Sequence, residues 1–178
     1  MSGMPEKIGL IHIYTGEAKG KTTAALGLGL RAAGQGLRVM LIQFMKGQTN
    51  YGELASIKQL EGYEYRQFGR PDFVERDNPH PLDQEGAQAG LFFAQECMQA
   101  GWYDLLILDE VICALDFGLL DLAQIVDLVS AKPASLELVL TGRNVPPELI
   151  DLADYVTSME LIKHPYQQGI QARRGVEF

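Results

Sequence analysis

The sequence predicts an α/β domain with a mainly parallel β-sheet flanked by helices. Three observations lead there. Short strand-like runs alternate with helix-like segments along the chain. The first run, "KIGLIHIY", is apolar and β-branched, as a buried strand is. The glycine- and charge-rich segments "TGEAKGKTT", "LDE" and "TGR" each close such a run, where sheets of this class bind ligands.

"KIGLIHIY" (7–14) is read as the first strand. "TTAALGLGLRAAGQG" reads as a helix ending near Gly34 to Gly36, where glycine takes a left-handed cap. Within it, "GLGLRAAG" comes near a dinucleotide fingerprint but lacks its spacing, so Gly27 and Gly29 are expected to permit close packing on the sheet. "LRVMLIQF" (37–44) is a second strand and "YGELASIKQLEG" a short helix. "YEYRQF" (63–68) is a third strand, favoured by its aromatic residues.

The stretch "GRPDFVERDNPHPLD" (69–83) holds three prolines and is expected to be a long loop, the kind that forms lids or binding segments. Ala87, Leu91, Ala94 and Met98 then mark one apolar helix face. "YDLLILDE" (103–110) is a strand ending in two carboxylates. "LLDLAQIVDLVSAKP" (119–133) is amphipathic, "SLELVLTG" a strand, "PPELIDLA" a short helix and "DYVTSMEL" a last strand. The segment 162–178 is expected to be extended.

At 178 residues the chain fits one domain spanning 1–178. Its 47% hydrophobic content is enough for a packed core. The net charge of -8 opposes binding to nucleic acid or anionic membranes. A nucleotide therefore needs a local positive site. Cys97 and Cys113 sit in apolar surroundings and read as free thiols. His12, His80 and His164 have no metal-ligand spacing; His12 reads as a satisfied strand residue. No export signal and no apolar run of membrane-spanning length is evident, so the expected address is cytoplasmic.

The informative segment is "TGEAKGKTTAA". A phosphate loop reads G-x-x-x-x-G-K-[ST], which would put its first glycine at position 15. That residue is Thr15, and Gly16 follows, so the loop is one residue short. The setting still makes an anion site, because a strand precedes the loop and a helix N-terminus follows it. Gly16 and Gly20 allow close backbone approach to phosphate oxygens. Lys21 supplies charge-assisted hydrogen bonds, Lys19 a second cation, and Thr22 a hydroxyl suited to Mg²⁺. The whole fits a single P-loop NTPase-like (RecA-like) domain. Asp109 and Glu110 are candidate Mg²⁺ partners. Neighbouring strand residues point opposite ways, so one of the two at most reaches a metal directly; the bland alternative is a helix cap. No Ser-His-Asp set or paired cysteine nucleophile is visible, so in a transferase the nucleophile would belong to the substrate.

With "TGEAKGKTTAALG", "QFMKG", "YDLLILDE", "LTGRN", "DLADYVTSME" and "KHPYQQGIQARRGVEF" in this order, the chain resembles the ATP:corrinoid (cob(I)alamin) adenosyltransferases with a modified phosphate loop. The resemblance implies that ATP binds with its triphosphate reversed and that Co(I) of the corrinoid attacks the ribose C5′. Adenosylcobalamin forms and triphosphate leaves. It assigns Gly16, Glu17, Ala18, Lys19, Gly20, Lys21, Thr22 and Thr23 to the nucleotide loop, with Lys19 and Lys21 stabilising the leaving group. Thr22 and Glu110, with Asp109 beside them, fall to Mg²⁺. Lys46 and Arg143 lie where phosphate or substrate contacts are expected, though Lys46 also reads as a solvated loop charge. A homodimer and a flavoprotein electron donor are implied as partners. The family places two aromatics in a G-F-x-W-type stretch that displaces the lower axial ligand of cobalt. Here the region reads "FGRPDFVE", and Phe73 stands for one aromatic or is a loop anchor. The competing readings are an ordinary P-loop ATPase or kinase and a non-catalytic corrinoid or nucleotide carrier.

Overall fold

The computed structural model describes residues 9–48 and 50–177. The elements in chain order are β1 (Ile11–Thr15), α1 (Lys21–Gly34), β2 (Val39–Phe44), α2 (Gly52–Ile57), β3 (Tyr63–Phe68) and α3 (Pro81–Ala100). They continue with β4 (Leu105–Asp109), α4 (Val111–Asp116), α5 (Leu122–Ser130), β5 (Glu137–Thr141), α6 (Pro147–Leu152) and β6 (Tyr155–Ser158). The six strands form one sheet in the order β3-β2-β4-β5-β1-β6, and its strand pairs are parallel. The α/β expectation with a mainly parallel sheet therefore holds.

Alternation along β2 explains why both faces are covered. Met40, Ile42 and Phe44 join Leu106, Leu108, Leu138 and Leu140 under α3, α4 and α5. Val39 and Leu41 join Leu105, Ile107 and Val139 under Ala25 of α1 and Ile57 of α2. A sheet buried on two faces needs strands that are apolar at nearly every position, and β2 is buried from end to end. The expected face of α3 is present: Ala87, Leu91, Ala94 and Met98 are all buried. His12 of β1 pairs with the Glu137 carboxylate, and its ring stacks on Tyr155 at 4.6 Å.

Three segments differ from expectation. The expected loop 69–83 is three residues shorter, because Pro81 opens α3 and His80 with Asp83 forms a capping box. Proline is compatible with the first helical turn, where its missing N–H costs nothing. The strand β4 ends at Asp109, and Glu110 leaves it with φ 63° to begin α4; only one of the two carboxylates is a strand residue. The segment 162–177 is not extended. It contains a 3₁₀ turn, Pro165–Gln168, and returns to the phosphate loop, where Lys19 Nζ donates to the Val176 carbonyl at 3.1 Å. Phe178 and residues 7–8 of the first expected strand lie outside the described residues. Gly29 packs as expected, since a Cβ there would overlap the buried Tyr63 hydroxyl. Gly27 does not: it faces open space.

Candidate active site

The loop between β1 and α1 brings the predicted nucleotide residues together. Gly16 has φ 96° and Gly20 φ 124°, conformations that glycine adopts without strain. A Cβ at Gly16 would also strike the Met159 backbone, and the Ala18 N–H donates to the Met159 carbonyl at 3.0 Å. The short loop is thus pinned to the chain leaving β6. Lys21 is buried, and its Nζ donates to the Gly16 carbonyl at 2.7 Å and the Ala18 carbonyl at 2.8 Å. Burial and then the charge of Arg143 lower the Lys21 pKa. A bound phosphate would relieve both effects.

Asp109, at the end of β4, is fully buried and its carboxylate accepts from four donors. Thr22 Oγ1 and Thr141 Oγ1 each donate to Oδ1 at 2.8 Å. Lys46 Nζ donates to Oδ2 at 2.7 Å and Gln43 Nε2 at 3.2 Å. Burial alone would raise the Asp109 pKa, but the attraction and hydrogen bond of Lys46, with the two threonine hydroxyls, hold it below the ordinary carboxylate value. Burial likewise opposes the charged form of Lys46, and Asp109 more than offsets it, so the Lys46 pKa is raised. Lys46 is therefore not a solvated loop charge.

Glu110 is half-buried and opens α4 in the left-handed conformation. Its backbone N–H donates to Thr141 Oγ1 at 2.9 Å, which fixes the left-handed turn. The Cys113 thiol lies against Glu110; burial and then that negative charge push the thiol pKa up to about 12. Cys97 and Cys113 are both free. Arg143 is exposed and reaches Glu17 at 3.2 Å. Thr23 is exposed on the first turn of α1. Lys19 pairs with Glu177 at 3.4 Å, and Arg173 in turn holds that carboxylate, bringing its pKa down to about 2.

Two cavities meet at this strand end. A cleft of about 550 Å³ with mixed polar and apolar walls runs beside Thr22, Thr23, Glu53 and Glu177. A smaller, more apolar cavity of about 240 Å³ is lined by Phe44, Met45, Phe73, Val74, Glu110 and Phe117. Lys46 and Tyr51 border both. Phe73 is 94% exposed at the tip of the 69–80 loop, so it is displayed and not an anchor packed on the domain.

The sequence matches the family described as "ATP:corrinoid adenosyltransferase BtuR/CobO/CobP" over residues 7–178. The chain belongs to this family. It is 35% identical to the corrinoid adenosyltransferase of Pseudomonas aeruginosa, over 96% of this chain and 84% of that protein. It is 36% identical to that of a Sinorhizobium species, over 100% and 84%, and 30% identical to the corrinoid adenosyltransferase CobA of Salmonella typhimurium, over 97% and 87%. For a member of the adenosyltransferase family, the residues missed in the sequence are informative. Thr141 and Gln43 are buried polar side chains serving Asp109. Gln43 is the one polar residue of β2, and that break in an apolar strand is the signal that could have found it. Tyr51 carries no comparable signal.

Proposed function

We propose that this chain transfers the 5′-deoxyadenosyl group of ATP to the Co(I) of a corrinoid and releases triphosphate. The observation that carries the reading is the shared border of the two cavities. Lys46 and Tyr51 stand between a mixed cleft beside Thr22 and Thr23 of the phosphate loop and an aromatic cavity beside Glu110. A nucleotide whose triphosphate lies in the loop can then present its sugar toward a flat, apolar macrocycle.

Co(I) supplies the electron pair for the new cobalt–carbon bond, and the C5′–oxygen bond breaks with its electrons going to triphosphate. No protein base is required. The residues act by alignment and by charge placed where the leaving group develops. Lys21 exchanges the Gly16 and Ala18 carbonyls for phosphate oxygens, Lys19 exchanges Glu177, and Arg143 approaches from the β5 loop. Asp109 holds Thr22 and Lys46 in place.

The donor set fits Mg²⁺. The Thr22 hydroxyl and the Glu110 carboxylate are hard oxygen donors next to the phosphate loop. Asp109, already engaged by four donors, suits an outer position. When bound, Mg²⁺ offsets the charge of the leaving triphosphate. Further parts of the reading rest on family likeness: a RecA-like arrangement in one domain spanning 1–178, a reversed triphosphate, a flavoprotein reductant, a cytoplasmic site and a homodimer. Among the described residues no helix is long and apolar enough to cross a membrane. Exposed Tyr155, Val156 and Ile162 at and beyond β6 give a second copy an apolar surface.

The test is incubation of the full chain with ATP, Mg²⁺ and chemically reduced cobalamin. A light-sensitive cobalt–carbon product with equimolar triphosphate is expected. ADP or orthophosphate without that product contradicts the reading.

A further inference from the structure

Three parts of the site converge on one side chain outside the reacting groups. Asp116 is the last residue of α4, the helix that Glu110 begins. Arg76, on the loop that displays Phe73, donates from NH2 to Asp116 Oδ1 at 2.8 Å. Asn144, beside Arg143 on the loop after β5, donates from Nδ2 to Asp116 Oδ2 at 3.1 Å. Each carboxylate oxygen thus holds a different loop. The Arg76 guanidinium also lies 5.5 Å over the ring of Phe117, which lines the aromatic cavity together with Phe73.

Helix stability does not explain the carboxylate. A negative side chain at a helix C-terminus faces the negative end of the helix dipole. Nor does ion pairing by itself: the Arg76 side chain is 56% exposed, and exposed pairs contribute little. Asn144 moreover holds φ 53°, a left-handed conformation that asparagine tolerates better than most residues but that still needs support. The loop bearing Phe73 has its own clasp at the base, where Arg70 grips Asp83 through Nε at 2.8 Å and NH2 at 3.1 Å. That clasp closes the loop but leaves its far side to Arg76.

We propose that Asp116 is a positioning residue, tying the loop that displays Phe73 to the loop that carries Arg143, so that the corrinoid side and the phosphate side of the site keep one register. Asp116 touches neither substrate; it acts through Arg76 and Asn144. The kinetic part of this inference rests on the adenosyltransferase reading; the structural part does not.

Asp116→Asn keeps the shape and removes the charge. In the full chain, hydrogen exchange should rise in peptides covering 70–79 and also in those covering 142–146, with the thermal midpoint unmoved. The KM for pre-reduced corrinoid should rise about fivefold, the loss of one modest ion pair, while kcat stays near its original value. Arg76→Gln should loosen 70–79 and Asn144→Ala 142–146, and the double variant should match Asp116→Asn. Unchanged exchange in either segment of Asp116→Asn, or a fall in kcat with corrinoid KM unmoved, overturns the proposal. A wild-type chain that transfers no adenosyl group overturns the functional reading instead, and the exchange data still decide whether Asp116 joins the loops.

Discussion

Lys21 and Asp109 do different jobs with similar burial. Lys21 rests on the carbonyls of its own loop, a resting state that phosphate oxygens can replace. Lys21→Ala removes at least one charged hydrogen bond to the nucleotide, worth roughly 1.5–3 kcal/mol. The KM for ATP should rise about tenfold or more, and an unchanged KM and kcat would remove Lys21 from the site. Asp109 is a fixed hub whose pKa is depressed and whose partner Lys46 has a raised one. The contribution of a depressed carboxylate is present above its unfolded value of about 3.9 and is lost as pH falls through the lower folded value. That of the raised lysine is complete below about 10.4 and is lost as pH rises through the higher folded value. The pair is therefore intact across the neutral range. In denaturant titrations from pH 5 down to pH 2 (about one unit above to about two units below the unfolded aspartate value), wild type should lose more stability than Asp109→Asn; parallel curves would deny Asp109 this role. The sequence made Lys21, Thr22 and Asp109 legible because a loop motif and a strand end name their positions. It did not make Thr141 or Gln43 legible, because a buried hydroxyl and a buried amide acquire meaning only from the carboxylate that folding sets beside them.

At the scale of elements, α1 and the 69–80 loop separate what pattern reading can and cannot decide. Two glycines in one helix looked alike, yet Gly29 meets Tyr63 and Gly27 meets nothing. Gly27→Ala should stabilise by about 0.5–1 kcal/mol, since it only lowers the entropy of the unfolded chain. Gly29→Ala should destabilise by about 1–3 kcal/mol, because the added methyl overlaps a buried ring. Equal midpoints in urea for the two variants would refute that contrast. Strands were legible from apolar runs, since a parallel sheet covered on both faces demands them. The start of α3 was not, because three prolines signalled a loop while one of them sits in the first turn of a helix. The loop's exposed Phe73 makes a separable prediction. Phe73→Ala should leave stability unchanged, as surface truncations do, and should reduce activity more with cob(II)alamin plus a reductase than with pre-reduced Co(I). Equal losses would assign Phe73 to substrate binding alone.

For the molecule as a whole, a net charge of -8 leaves the cations of one strand-end cluster to attract a polyanion. Lys19, Lys21, Lys46 and Arg143 come from three separate segments, each following the carboxyl end of a strand of the one parallel sheet. The same topology sets the aromatic cavity next to them. The segment 162–177 differs from the extended reading because its polar, glycine-containing sequence carries no periodicity; its return to Lys19 rests on a contact between residues 157 positions apart. The central claim concerns which bond of ATP breaks, and oxygen labelling measures that directly. With ¹⁸O in the bridge between C5′ and the α-phosphorus, and with reduced cobalamin as acceptor, the label should leave entirely in triphosphate, seen as an isotope shift in its ³¹P spectrum. Label retained in an adenosine-containing product, with ADP released, would mean that phosphorus and not carbon is attacked.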